Sequence, residues 1–168
     1  MAPDNEQKRS RKVFRMPNHG KRQGDTDKAQ VVHALTELPV FSSLDRRQVE
    51  ALARNMRVEH VATGTVVIRE GQTATFGDVG IVLRGLLTVQ QGEKRQLGTI
   101  GPGEFFGEMA ALDGGVRSAT LMAATDTDVA LLKEWNLRSV LRENPELAIQ
   151  LLVAMSRRLR EARASDGS

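Results

Sequence analysis

Glu108 and Arg117 stand nine residues apart in the stretch FFGEMAALDGGVRSA, Phe105 to Ala119. Gly107 and Glu108 open a short Ala/Leu-rich piece, Asp113, Gly114 and Gly115 turn the chain, and Arg117, Ser118 and Ala119 follow. If a helical turn starts at Glu108, its first N–H groups, around Met109 and Ala110, have no partner inside that turn. Unpaired amides at the positive end of a helix attract anions, and Gly107 permits backbone geometry that a side chain would block. Arg117, placed at the start of a strand beside the turn, can grip phosphate oxygens from the other side, with the Ser118 hydroxyl as a further donor. Glu108 makes poor sense facing an anion and good sense as the acceptor for a hydroxyl of the same ligand. A ribose 2′-hydroxyl is such a donor, so the spacing predicts a ligand with both a phosphate and a free sugar hydroxyl.

Two plainer readings compete. Glu108 and Arg117 could form an ordinary surface ion pair, but such pairs contribute ~0–1 kcal/mol and leave the flanking Gly and Ser unexplained. An enzyme is the other. The three histidines, His19, His33 and His60, show no metal-ligand spacing, Ser118 has no evident base nearby in sequence, and there is no cysteine nucleophile. No catalytic residue, metal or prosthetic group is therefore expected.

The elements that must position these residues can be read from periodicity. Asp27 to Leu38 carries apolar residues at Val31, Val32, Leu35 and Leu38, a helical spacing that Pro39 ends. Asp45 suits the N-cap of a second helix with Val49, Leu52 and Ala53 inward. From Met56 onward the chain alternates, is β-branched, and is punctuated by glycines at short intervals; Gln91 and Gly92 mark a hairpin tip. Many short strands of this kind predict a mainly β architecture, a β-roll or jelly roll, flanked by the N-terminal helices and a C-terminal helix pair. In the last helix, opened by Pro145 and Glu146, Leu147, Leu151, Met155 and Leu159 form one stripe, with Ala148 and Leu152 beside it and Arg157, Arg160 and Arg163 on the other face.

The charge is uneven. Residues 1–28 hold eight Lys/Arg against four Asp/Glu, whereas the whole chain of 168 residues carries only +3. Residues 1–26 hold few large apolar groups, which predicts a disordered basic tail; residues 27–164 then form one domain and 165–168 a short end. The basic cluster from Lys8 to Arg15 could touch an anionic partner or simply be solvated. No apolar run approaches the length of a membrane span, and the basic N-terminus lacks the apolar segment of a secretory signal. A cytoplasmic protein is the expectation.

FFGEMAALDGGVRSAT resembles the phosphate-binding cassette of the cyclic nucleotide-binding domain family. That family includes the bacterial catabolite activator protein, the regulatory subunits of the cyclic-AMP-dependent kinase and cyclic-nucleotide-gated channels. The resemblance runs from about Leu38 to Ala162 and takes in LPVFSSL, GTVVIREGQ, VLRGLLTV, IGPGEFFGEMAAL, VRSAT and a last helix beginning NPEL. It implies a β-roll that binds cAMP or cGMP, with Glu108 on the ribose hydroxyl, Arg117 on the cyclic phosphate, Ser118 and Ala119 beside it, and main-chain contacts at Gly107, Met109 and Ala110. It also implies a lid over the base from the C-terminal helix, with Arg158 in that place and Arg157 as runner-up. Two departures stand out: GDVG precedes the VLRG strand where family members often carry aromatics, so Val79 and Gly80 would leave the core small there, and no helix-turn-helix follows Ala162. The family suggests a homodimer or an effector protein engaged through the C-terminal helix. A degenerate domain that keeps the fold and serves only as an interaction module is the alternative.

Overall fold

The structure is a computed structural model, and it describes the backbone of residues 24–73, 78–92 and 95–165. The basic segment ahead of residue 24 therefore lies outside the described residues.

Two helices lead into the β region. α1 spans Gly24–Glu37, three residues earlier than the sequence placed its start, and buries Val31 and Leu35. A single 3-10 turn, Pro39–Phe41, separates it from α2, Arg46–Arg54. Asp45 caps α2 as expected: its side chain accepts from Gln48 N while the Gln48 side chain accepts from Asp45 N, a reciprocal box that satisfies two otherwise orphaned donors. Val49, Leu52 and Ala53 form the buried face.

Among the described residues, eight strands follow: β1 Met56–Val61, β2 Val66–Ile68, β3 Asp78–Arg84, β4 Leu87–Gln91, β5 Arg95–Ile100, β6 Phe105–Phe106, β7 Thr120–Ala123 and β8 Thr127–Lys133. They form two four-stranded antiparallel sheets, β1-β8-β3-β6 and β2-β7-β4-β5. Strands far apart in sequence are neighbours in both sheets, the winding of a β-roll. β4 and β5 pair as the hairpin predicted around Gln91 and Gly92.

The period of two in β8 explains its nearly unbroken apolar run. Val129 and Leu131 face the core between the sheets, while Ala130 and Leu132 face a second core shared with the helices. A strand covered on both faces has no reason to alternate with polar residues. In the helix-side core, Phe41 packs edge-on against Phe105, ring centroids 5.5 Å apart.

The core at Gly80 is not small, contrary to the sequence reading. Gly80 pairs in register with Phe106, and the Phe106 ring fills the space that a Gly80 side chain would occupy. The aromatic expected on β3 is supplied instead by the strand alongside it, and Phe106 is 2% exposed.

A short helix, α3 (Glu108–Asp113), joins β6 to β7, and two more, α4 (Glu134–Glu143) and α5 (Pro145–Ser165), follow β8. Leu147 and Leu151 are buried and Met155 packs against the helix-side core. The stripe predicted on α5 stops there. Leu152 and Leu159 are exposed, together with Ile149 and Val153, at 43–62%, because the helix-side core reaches only Leu147, Leu151 and Met155 on one face of α5.

Candidate functional site

The site is built around α3. Gly107 is its N-cap, with φ +77°, a left-handed conformation that glycine adopts without steric cost. Close approach is a second reason for glycine: a Cβ there would lie 2.7 Å from Arg117 Nη1 and 2.9 Å from the carbonyl oxygen of Asp78. At the other end Gly114, φ +72°, closes the helix by donating from its N–H to the Ala110 carbonyl. The Asp113 carboxylate accepts from Gly115 N at 2.8 Å, which shapes the return toward Arg117.

Arg117 precedes β7 by three residues instead of starting it. The chain there is still anchored: Arg117 N donates to Gln72 O at 2.8 Å, Gly71 N donates to Arg117 O at 2.9 Å, and Val116 bridges Thr73. The residue is 7% exposed. Its Nη1 donates to the Gly107 carbonyl at 2.9 Å and its Nη2 to the Asp78 carbonyl at 3.1 Å. These two carbonyls orient the planar guanidinium beside the first turn of α3.

Asp78 is fixed in turn. Its carboxylate pairs with Arg57 and lies 2.8 Å from Lys133 Nζ, so the strand end that offers its carbonyl to Arg117 is fastened to β1 and β8.

Glu108 is also buried, at 4%, which rules out the surface-pair reading. Among the described residues its ion-pair partner is Arg158 of α5, with Nη1 donating to Oε1 at 3.0 Å. Arg158 Nη2 also lies 3.9 Å from Glu104 Oε1. Of the two candidate lid arginines, Arg158 is turned to the cassette and Arg157 is exposed.

The remaining expected residues divide by exposure. Ala110 is buried, Met109 and Ser118 are exposed, and Ala119 is half-buried. His33 lies on the exposed side of α1, and His60 Nδ1 sits 2.7 Å from Asp128 Oδ1 on an exposed part of the roll.

One contact had no signal in the sequence. Arg138 of α4 donates to the carbonyls of Ala111 at 3.1 Å and Leu112 at 2.8 Å. These belong to the last turn of α3, where helix carbonyls lack intrahelical partners. α3 is thus held at its first residue by an arginine from α5 and at its last turn by one from α4.

Comparison with known proteins agrees with this architecture. The family model for the cyclic nucleotide-binding domain matches residues 58–144. The chain is 44% identical over 71 residues to the cyclic AMP receptor protein of Thermus thermophilus, covering 42% of this chain and 33% of that protein. It is 33% identical over 112 residues to a cyclic nucleotide-gated potassium channel of Mesorhizobium japonicum, covering 66% of this chain and 30% of the channel. Among solved structures, the Thermus thermophilus catabolite activator protein superposes with a TM-score of 0.66 at 30% identity, over 76% of this chain and 61% of the other. The chain belongs to the cyclic nucleotide-binding domain family, and its fold is the family's β-roll with flanking helices. It spans about a third of the length of these two curated relatives.

Proposed function

We propose that this chain binds a cyclic nucleotide, cAMP or cGMP, at the α3 cassette and relays the binding through α5 to a partner. The observation that carries this reading is the buried Arg117 guanidinium, oriented by the carbonyls of Gly107 and Asp78 immediately beside the start of α3. In the reading, Arg117 takes the cyclic phosphate, with the Met109 and Ala110 amides and the Ser118 hydroxyl as further donors. Gly107 and Ala119 shape the cradle, and Glu108 accepts the ribose hydroxyl. Arg158 lies within reach of the same ligand, as a lid on the base would. The similarity to a cyclic AMP receptor protein makes cAMP the first ligand to test.

The relay is supported by the polar links from α4 and α5 to α3. A ligand that rearranges the cassette would shift the equilibrium position of both helices. The exposed apolar residues Ile149, Leu152, Val153 and Leu159 on α5 offer a surface for a second copy or for an effector protein. In this role the domain is a non-catalytic sensor. None of its described helices is long and apolar enough to cross a membrane, and a cytoplasmic location fits the reading.

Side-by-side calorimetric titration with cAMP and cGMP tests the proposal, with sedimentation of the free and liganded protein reading the oligomeric state. Saturable binding of either nucleotide is expected. A flat heat signal with both would leave the alternative, a degenerate domain kept for protein interaction.

A further inference from the structure

The outer face of α5 joins two chemistries on one side of a helix. Ile149, Leu152, Val153, Ser156 and Arg160 recur at helical spacing and fall within a sector of about 100°. Leu147 and Leu151, on the opposite side, are buried in the helix-side core, so this sector points away from the roll. Ile149 is 53% exposed, Leu152 62% and Val153 43%, and they line one open groove with Ser156, Arg157 and Arg160. Arg157 and Arg160 are exposed as well. The aliphatics come first along the helix and the cations follow; Glu146, the acid of the first turn, lies ahead of the groove.

We propose that this face docks on an anionic lipid surface, with Ile149, Leu152 and Val153 entering the headgroup boundary and Arg157 and Arg160 meeting the negative headgroups. Aliphatic residues beside exposed cations fit a boundary that is apolar in depth and negative at its rim, and an arginine stem can lie along the apolar part while its head stays in water. Nucleic acid offers phosphates but little for an aliphatic patch, and base stacking calls for aromatics, of which α5 has none. A second copy of α5 running parallel would oppose the two arginines with their own equivalents, an unfavourable like-charge contact. α5 is among the helices too polar to cross a membrane, so it lies on the surface.

One such patch holds a membrane only weakly, and stable attachment takes two signals. The sequence carries a second: Lys8, Arg9, Arg11, Lys12 and Arg15, with Val13 and Phe14 among them. Each cation near an anionic surface strengthens binding by about fivefold, so this segment and the α5 face add on the same surface. The proposal stands without the cyclic-nucleotide reading. Where both hold, the lipid surface takes the place of the protein partner to which α5 would relay.

The test is co-sedimentation of the full chain, without nucleotide, with vesicles of phosphatidylcholine alone or with roughly one-third phosphatidylserine. Three variants accompany the wild type: Leu152→Ser with Val153→Ser, Arg157→Gln with Arg160→Gln, and Gln in place of Lys8, Arg9, Arg11, Lys12 and Arg15. Thermal unfolding checks that each is folded, and Ile149→Ser replaces the serine pair if that pair melts early. Wild type is expected to bind the anionic vesicles at least about tenfold more tightly than the neutral ones, and less so as salt is raised. The serine pair should weaken binding by about tenfold at every salt concentration. Each set of glutamines should weaken it by about tenfold or more at low salt and by little at high salt. Equal affinity for the two vesicles, no vesicle binding, or binding unchanged in any one variant overturns the proposal. So does a lipid-free dimer that the serine pair splits, which assigns the groove to a second copy. Binding to a single-stranded RNA that anionic vesicles do not displace assigns the cations to nucleic acid and overturns it as well.

Discussion

Arg138 of α4 donates to the Leu112 carbonyl at 2.8 Å and also reaches the Ala111 carbonyl at 3.1 Å. The contact ties the end of the cassette helix to the helix that precedes α5. Bonds from a cation to carbonyls that have no helical partner hold the two elements together without touching the face where a ligand would sit. Arg138→Gln is expected to lower stability by about 1–2 kcal/mol. It should leave most nucleotide affinity in place while reducing ligand-induced protection of α5 amides in hydrogen exchange. Full protection of α5 in the variant would show that the coupling runs elsewhere.

Arg117→Ala removes the group that carries the proposed phosphate contact. Loss of a buried charge-assisted contact costs ~2–5 kcal/mol, roughly 30- to several-thousand-fold in affinity. Calorimetry should show binding abolished or weakened by that factor, with a folded far-ultraviolet spectrum. Unchanged affinity would sink the cassette assignment.

Phe106 over Gly80 predicts a compensating pair. Gly80→Ala pushes a methyl into the ring and should destabilise by about 1–3 kcal/mol through overpacking. Phe106→Leu makes room for it. The double variant should therefore be less destabilised than the two single changes added together, read as denaturation midpoints with unchanged slopes. Simple additivity would mean that the two residues do not share that space.

Asp126 gives a pH signature. Its carboxylate accepts from Thr63 N at 2.9 Å and Thr63 Oγ1 at 2.8 Å. The Thr63 backbone bond, and then the hydroxyl bond, hold its pKa below the ordinary value of 3.8. The folded-state pKa is thus depressed, so the stabilisation is present above the unfolded pKa and is lost as pH falls through the folded one. Asp126→Asn keeps an acceptor oxygen and loses the charge. The stability gap between wild type and this variant should be constant near neutrality and close as acid is added below the normal aspartate range. A gap that stays constant down to full protonation would rule out the linkage.

Much of the architecture was legible because it depends on neighbours close in sequence. The Asp45 cap, the turn at Gly107 and the hairpin near Gly92 are set by side chains within a few residues of the backbone they shape. The alternation in β1 and the doubly buried run in β8 reflect which faces are covered. Other features were not legible because they join distant segments. Phe106 fills the gap at Gly80 only because β6 and β3 pair in that register. Nothing local tells which of Arg157 and Arg158 turns inward, since that depends on the rotation of α5 against the roll. How far the stripe on α5 is buried is hidden for the same reason: periodicity marks an apolar face but not how much of it another element covers.

From sequence alone came the residue types at the cassette, their spacing, and the strand rhythm that places a turn between two sheets. Those follow from local stereochemistry and from the period of two, which act within a few residues. The tertiary structure alone decided that Glu108 meets Arg158 and not Arg117. It also decided that Arg117 rests on the carbonyls of Gly107 and Asp78, and that α4 and α5 grip α3 at both ends. Such pairings need segments 10 to 50 residues apart to be packed in one fixed orientation, and only the folded core sets that orientation.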